Sequence, residues 1–318
     1  MSSARITVLR LLALALLAAG AFVAVYLLAI QTELGQRADR AALAGGRQIP
    51  AQAQDAADSV LGIVSIGSLM IVTAALSAIA LLRRRPELLL VPATIIGTSL
   101  IATELLKDWL LERPDLAATP LKPAENSYPS GHTTIFASIG LAALVVAPPR
   151  LRGVAALAAA GLAAAAGVFV VTAGWHRPSD PIGSYLATLT VAAAVLAVFC
   201  AWRPSLATRD RTAGPGARSS ALARRTELSA LGASAALFAG AILFAALRYG
   251  PEIDWNRFHL AYLVAIAVIV LVAGLAVGAL LRALGTPSRA TGANSDTVLA
   301  RQPARRGREA HVGIGRGI

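Results

Sequence analysis

Apolar residues run through this chain in blocks of about twenty, broken by short polar segments; no strand pattern extends beyond the blocks and no internal repeat is visible. Residues 11–30, 59–82, 88–111, 154–175, 182–202, 228–247 and 260–284 are each long enough to cross a bilayer as a helix. Residues 133–146 with their flanks make a further span. The predicted fold class is an all-α integral membrane protein with about eight transmembrane helices. The first block follows Arg5 and Arg10 and is longer than a cleavable signal core, so it reads as a retained helix. Residues 31–58 are polar, of mixed charge and without a periodic pattern, and are expected to form an external loop. Residues 203–225 are rich in Arg, Ser and Gly and read as an irregular cytoplasmic connection, and 248–259 as a short polar turn. From 285 onward the chain is basic with few apolar residues, the composition of a disordered tail. The expected divisions are 1–58, a core at 59–202, a basic loop at 203–227, two more spans at 228–284, and the tail at 285–318.

Composition agrees with the pattern. The 318 residues are 56% hydrophobic and 14% charged, with mean hydropathy +0.66, too apolar for a soluble domain around one core. A net charge of +12 points to nucleic acid in a soluble chain, but here the arginines collect between apolar blocks, as in Arg83-Arg84-Arg85-Pro86 and Arg150-Leu151-Arg152. Bilayer orientation explains them, so no nucleic-acid partner is expected. An even number of spans puts both termini on the arginine-rich, cytoplasmic side of the cell membrane and the polar loops after residues 111 and 175 outside. Cys200 is the sole cysteine, which excludes an intramolecular disulfide and a thiolate metal cage.

Those two outer loops hold the candidate chemistry. The first begins near Lys107, passes Arg113-Pro114, and ends in Tyr128-Pro129-Ser130-Gly131-His132-Thr133. Ser130 is a natural helix N-cap, and Gly131 lets backbone N–H groups approach an anion at the helix start. The second is Trp175-His176-Arg177-Pro178-Ser179-Asp180. Two cations, a helix N-terminus, two imidazoles and a carboxylate on one side of the membrane suit phosphoryl transfer without a metal or cofactor. A neutral imidazole can attack phosphorus while a carboxylate on its other nitrogen fixes the tautomer, and a second, protonated imidazole can serve the leaving oxygen. Each residue also has a plain structural reading. Lys107 and Arg113 are placed as interfacial anchors, Ser130 and Asp180 as helix caps, Pro178 as a first-turn proline, and Glu104 as the helical partner of Lys107. His259 and His311 lie in no motif.

The combination resembles the type 2 phosphatidic acid phosphatase superfamily, membrane lipid phosphate phosphatases that share a fold with vanadium haloperoxidases. That family carries Lys, six residues, Arg-Pro; then Pro-Ser-Gly-His; then Ser-Arg, five residues, His, three residues, Asp. The resemblance covers Lys107 to Asp180 and a six-span frame around them. It implies that His176 is a nucleophile forming a phosphohistidine, that Asp180 orients it, and that His132 is the general acid. It also implies that Lys107, Arg113, Ser130 and Gly131 bind phosphate, and that the substrate is a lipid phosphate or polyprenyl diphosphate. A transferase of the same fold, or a non-catalytic lipid-phosphate binder, are the alternatives. The chain departs from the family twice: five residues separate Lys107 from Arg113, and Phe169-Val170 stand where Ser-Arg is expected. On a helix from Val154 to His176, Val170 would face the phosphate within the last two turns. Arg177, and next Lys122, are the cations expected to replace the absent charge.

Overall fold

The computed structural model describes residues 3–117, 125–208 and 257–285. They form helices α1 (Ser3–Val25), α2 (Glu33–Gly46), α3 (Ala51–Leu61), α4 (Ile66–Leu82), α5 (Val91–Leu105), α6 (Gly131–Val146), α7 (Arg152–Thr172), α8 (Ser179–Trp202), α9 (Pro204–Thr208) and α10 (Arg257–Leu284). α1 and α5 each end in a π-helical turn, Tyr26–Ile30 and Leu106–Leu110. There is no strand among the described residues.

By length and composition five segments can cross a membrane: Ala4–Ile30, Pro86–Leu110, Pro149–Thr172, Ser179–Trp202 and Phe258–Leu284. α3 and α4 make a sixth only if taken as one span bent by 62°. The expected span 59–82 is therefore broken. The chain leaves α3 at Gly62 and restarts at Ser65, whose hydroxyl accepts from Ser68 N–H while the Ser68 hydroxyl accepts from Ser65 N–H. α6, at 16 residues, is apolar but shorter than a span. The blocks and long apolar helices make this an all-α, multi-pass membrane protein. The expected span at 228–247, Lys122, His311 and the basic tail lie outside the described residues.

The core forms where small residues let helices approach. α7 packs on α6, and a Cβ on Gly140 would stand 3.1 Å from Ala159, so the glycine lets the two helices approach closely there. Ala156, Ala159, Ala160 and Ala163 line the buried side of α7, and the Tyr185 hydroxyl of α8 donates to the Ala163 carbonyl at 2.8 Å. α1 lies along α8, while α10 packs on α2, α7 and α8 and joins the same core through Ile269, Ala273 and Leu280. The last block is thus part of the bundle rather than an appendage.

Residues 31–58 are not irregular: they hold α2 and most of α3. Thr32 caps α2 by accepting from Gly35 N–H. Its buried residues, Gln36, Asp39, Arg40, Leu43 and Gly46, recur at helical spacing, but three of them are polar. A reading keyed to apolar periodicity passes over such a helix, since its inward face is recognised by hydrogen bonds. The Gln36 amide donates to Ile30 O at 2.8 Å and Pro114 O at 2.6 Å, and its oxygen accepts from Leu116 N at 3.3 Å. Arg40 pairs with Asp115 at 2.8 Å. α2 therefore clamps the start of the first motif loop against the bundle.

Candidate active site

α7 ends at Thr172, earlier than Trp175 and short of the helix to His176 that the sequence suggested. Gly174 stops it in the left-handed conformation, φ +73°, and Val170 O accepts from both Trp175 N and His176 N at 3.0 Å. This turn delivers His176 to the mouth of the bundle. Val170 is fully buried in the apolar core, below the turn that carries His176, where a longer helix was expected to bring it to the site.

α8 then starts at Ser179, and Asp180 in its first turn is fully buried. Asp180 Oδ2 lies 3.1 Å from His176 Nδ1 and accepts from the Ser127 hydroxyl at 2.6 Å and from Arg177 N–H at 3.0 Å. A carboxylate only accepts, so Nδ1 carries the hydrogen, and in the neutral form of the ring the lone pair is on Nε2. Asp180 Oδ1 takes Arg113 at 3.1 Å. Asp180 is not the helix cap: Asp39 of α2 caps α8 from across the chain, accepting from Ser179 N at 3.1 Å and the Ser179 hydroxyl at 2.5 Å.

The second motif is tied to the third through the backbone. Ser130 N donates to Asp180 O at 3.3 Å, and the Ser184 hydroxyl donates to Ser130 O at 2.8 Å and Asp180 O at 2.9 Å. Ser130 is buried and caps α6 by accepting from Thr133 N at 3.4 Å, so its cap role is realised. Tyr128 holds the loop down. Its hydroxyl donates to Phe22 O at 3.0 Å, and its ring lies across Gly183, where any Cβ would come within 2.3 Å. Gly131 leaves α6 open toward Glu104, whose Oε1 would be 3.4 Å from a Cβ there.

His132 stacks edge-on against Trp175 with ring centroids 5.0 Å apart. Partial burial, followed by the nearby positive charges of His176 and Lys107, pushes its pKa below the usual 6.5. Lys107 rides the π-turn, where Asn126 donates to Lys107 O at 2.9 Å and Leu111 O at 2.8 Å, and its ammonium meets Glu104 at 2.6 Å. The shortened first motif therefore does not lie on a continuous α-helix, and the Lys107 charge is near enough to act on His132.

The structure brings His132, His176, Asp180, Lys107, Ser130 and Gly131 to one end of the bundle. Arg113 and Arg177 join them from behind. The Arg113 guanidinium stands between Asp180 and Asp39, 3.7 Å from the latter, and Arg177 donates to Ser127 Oγ at 3.2 Å and Glu125 O at 3.4 Å. Both arginines are buried, and their guanidinium groups contact protein groups. Sequence reasoning missed Ser127, Ser179, Ser184 and Asp39. Burial first, then the neighbouring Asp180 charge, raises Asp39 to about 6 against the opposing pull of Ser179 and Arg113. Among the described residues no group of three or more His, Cys, Asp or Glu is arranged to hold a metal ion.

Fold and cluster together define a multi-pass helical membrane protein with a histidine–carboxylate pair at helix ends beside the start of α6. Residues 63–204, which contain both motif loops, match the family model of the PAP2 superfamily, and this match supports the resemblance to the type 2 phosphatidic acid phosphatases for that part of the chain. The family's activity is of phosphatase type, on phosphate esters. The chain matches no curated protein and no solved structure.

Proposed function

We propose that the protein hydrolyses a lipid phosphate or polyprenyl diphosphate at the outer face of the membrane through a phosphohistidine. The observation that carries this reading is the 3.1 Å contact of His176 Nδ1 with buried Asp180, beside His132 and Lys107. His176 Nε2 attacks phosphorus as the bond to the lipid oxygen breaks, and Asp180 stabilises the imidazolium that forms. His132 gives its proton to the leaving oxygen, then takes one from the water that cleaves the P–N bond and releases phosphate. Lys107 and the start of α6 neutralise the phosphoryl oxygens. Arg113 and Arg177 support the site by fixing Asp180 and Ser127. Long apolar helices bordering the cluster favour a lipid as the alcohol part, and the arginine distribution favours the outer leaflet.

The test is phosphate release by detergent-purified protein from phosphatidic acid and polyprenyl diphosphates without added metal. Turnover is expected for the parent and not for His176→Ala. Equal rates for the two across the panel would sink the reading, and transfer of the phosphoryl group to an added alcohol in place of water would make the protein a transferase.

A further inference from the structure

Asp39 belongs to neither motif loop and lies outside the residues the family model matches, yet it touches the cluster at three points. It is buried on α2, accepts from the backbone and hydroxyl of Ser179 at the head of α8, and faces Arg113. Arg113 therefore serves two buried carboxylates, with NH2 3.1 Å from Asp180 Oδ1 and NH1 3.7 Å from Asp39 Oδ2. The sharing has a chemical consequence. Were Asp180 alone with Arg113, the pair would be neutral, and an imidazolium developing at His176 would meet a carboxylate already compensated. A second carboxylate behind the guanidinium leaves the three groups with one surplus negative charge, and His176 Nδ1 meets Asp180 at Oδ2, the oxygen that Arg113 does not bond.

We infer that Asp39 is a positioning residue of the active site: by sharing Arg113 and capping the first turn of α8, it keeps the charge of Asp180 available to His176. The inference rests on the proposed phosphatase reading and adds to it a residue from a different helix. α2 is then a strap whose inward polar face completes the site. The burial that raises Asp39 to about 6 is consistent with a carboxylate held there at a cost.

Asp39→Asn removes the charge facing Arg113 while its amide oxygen still accepts from Ser179 N–H; its NH2 replaces the oxygen that took the Ser179 hydroxyl, so that second bond must reverse direction, with the hydroxyl accepting. Steady-state kinetics of Asp39→Asn are expected to show kcat lowered at least about tenfold with KM within about twofold. In an Arg113→Gln background the same change should alter kcat less than about twofold, since no guanidinium remains to be shared. Asp39→Ala, which also loses the cap, should fall further and melt lower. Parental kcat in Asp39→Asn overturns the inference, and so does an undiminished effect in the Arg113→Gln background, which would make the role purely structural. Absent turnover in the parent sinks the phosphatase reading instead, and orthovanadate affinity by calorimetry then carries the comparison. Binding about tenfold weaker in Asp39→Asn supports the inference, while equal affinity, or no vanadate binding by the parent, overturns it.

Discussion

Asp180 accepts from His176, Ser127, Arg113 and the Arg177 backbone, so it fixes the tautomer of His176 and anchors both motif loops at once. Asp180→Asn, which presents an amide donor to Nδ1, is expected to lower kcat by about a hundredfold or more, read in a phosphate-release assay. The pH profile should carry the mark of His132. Its pKa is below 6.5, so the fraction protonated, and with it kcat/KM, falls as pH rises through a value on the acid side of 6.5. A pH–rate profile of kcat/KM that stays flat from pH 5 to 8 would contradict that assignment. Asp39 acts on stability in the opposite sense to a carboxylate whose pKa is lowered, because burial outweighs its pairing with Arg113. Its folded pKa is raised from 3.8 to about 6, so its contribution is full below 3.8 and lost as pH rises through about 6. The Tm of Asp39→Asn minus that of the parent should therefore climb between pH 4 and pH 8, as thermal melts in detergent will show. That His132, His176 and Asp180 come together was legible in the sequence because they sit at local spacing beside two helix starts. Asp39 was not, because its relation to Ser179 and Arg113 exists only across the fold.

At the scale of elements, the turn that ends α7 places His176. Gly174 at φ +73° is the residue there that a side chain would strain, and Gly174→Val should cost about 1–3 kcal/mol in urea or thermal unfolding and reduce kcat. Gly174→Asn should cost less, since asparagine tolerates that conformation. The apolar blocks marked out most long helices because burial in lipid leaves one signal, hydropathy over about twenty residues. Boundaries set by other forces were less visible. α7 stops three residues before Trp175 through backbone bonds to Val170 and its neighbours, and the block at 59–82 breaks at a serine capping box. α2 escaped notice because Gln36, Asp39 and Arg40 occupy the face where apolar residues are usually sought.

In the whole molecule, α10 supports the site indirectly. It packs on α2 through Gly45, where a Cβ would meet the Phe258 carbonyl at 2.1 Å, and on α7 through Tyr262, whose hydroxyl is 2.6 Å from Thr172 Oγ1. Tyr262→Phe removes that bond and should cost about 1 kcal/mol of stability with little change in kcat, separable by pairing a thermal melt with the phosphate assay. Gly45→Leu should instead push α2 outward and lower kcat through Asp39. These effects converge on one claim, that His176, oriented by Asp180, attacks phosphorus. The direct measurement is to quench the protein during turnover of a 32P-labelled lipid phosphate without acid and locate the label by peptide mass spectrometry. Label on His176 in the parent, and none in His176→Ala, is the predicted result. Turnover with no label on His176, or label on His132 instead, would contradict the account.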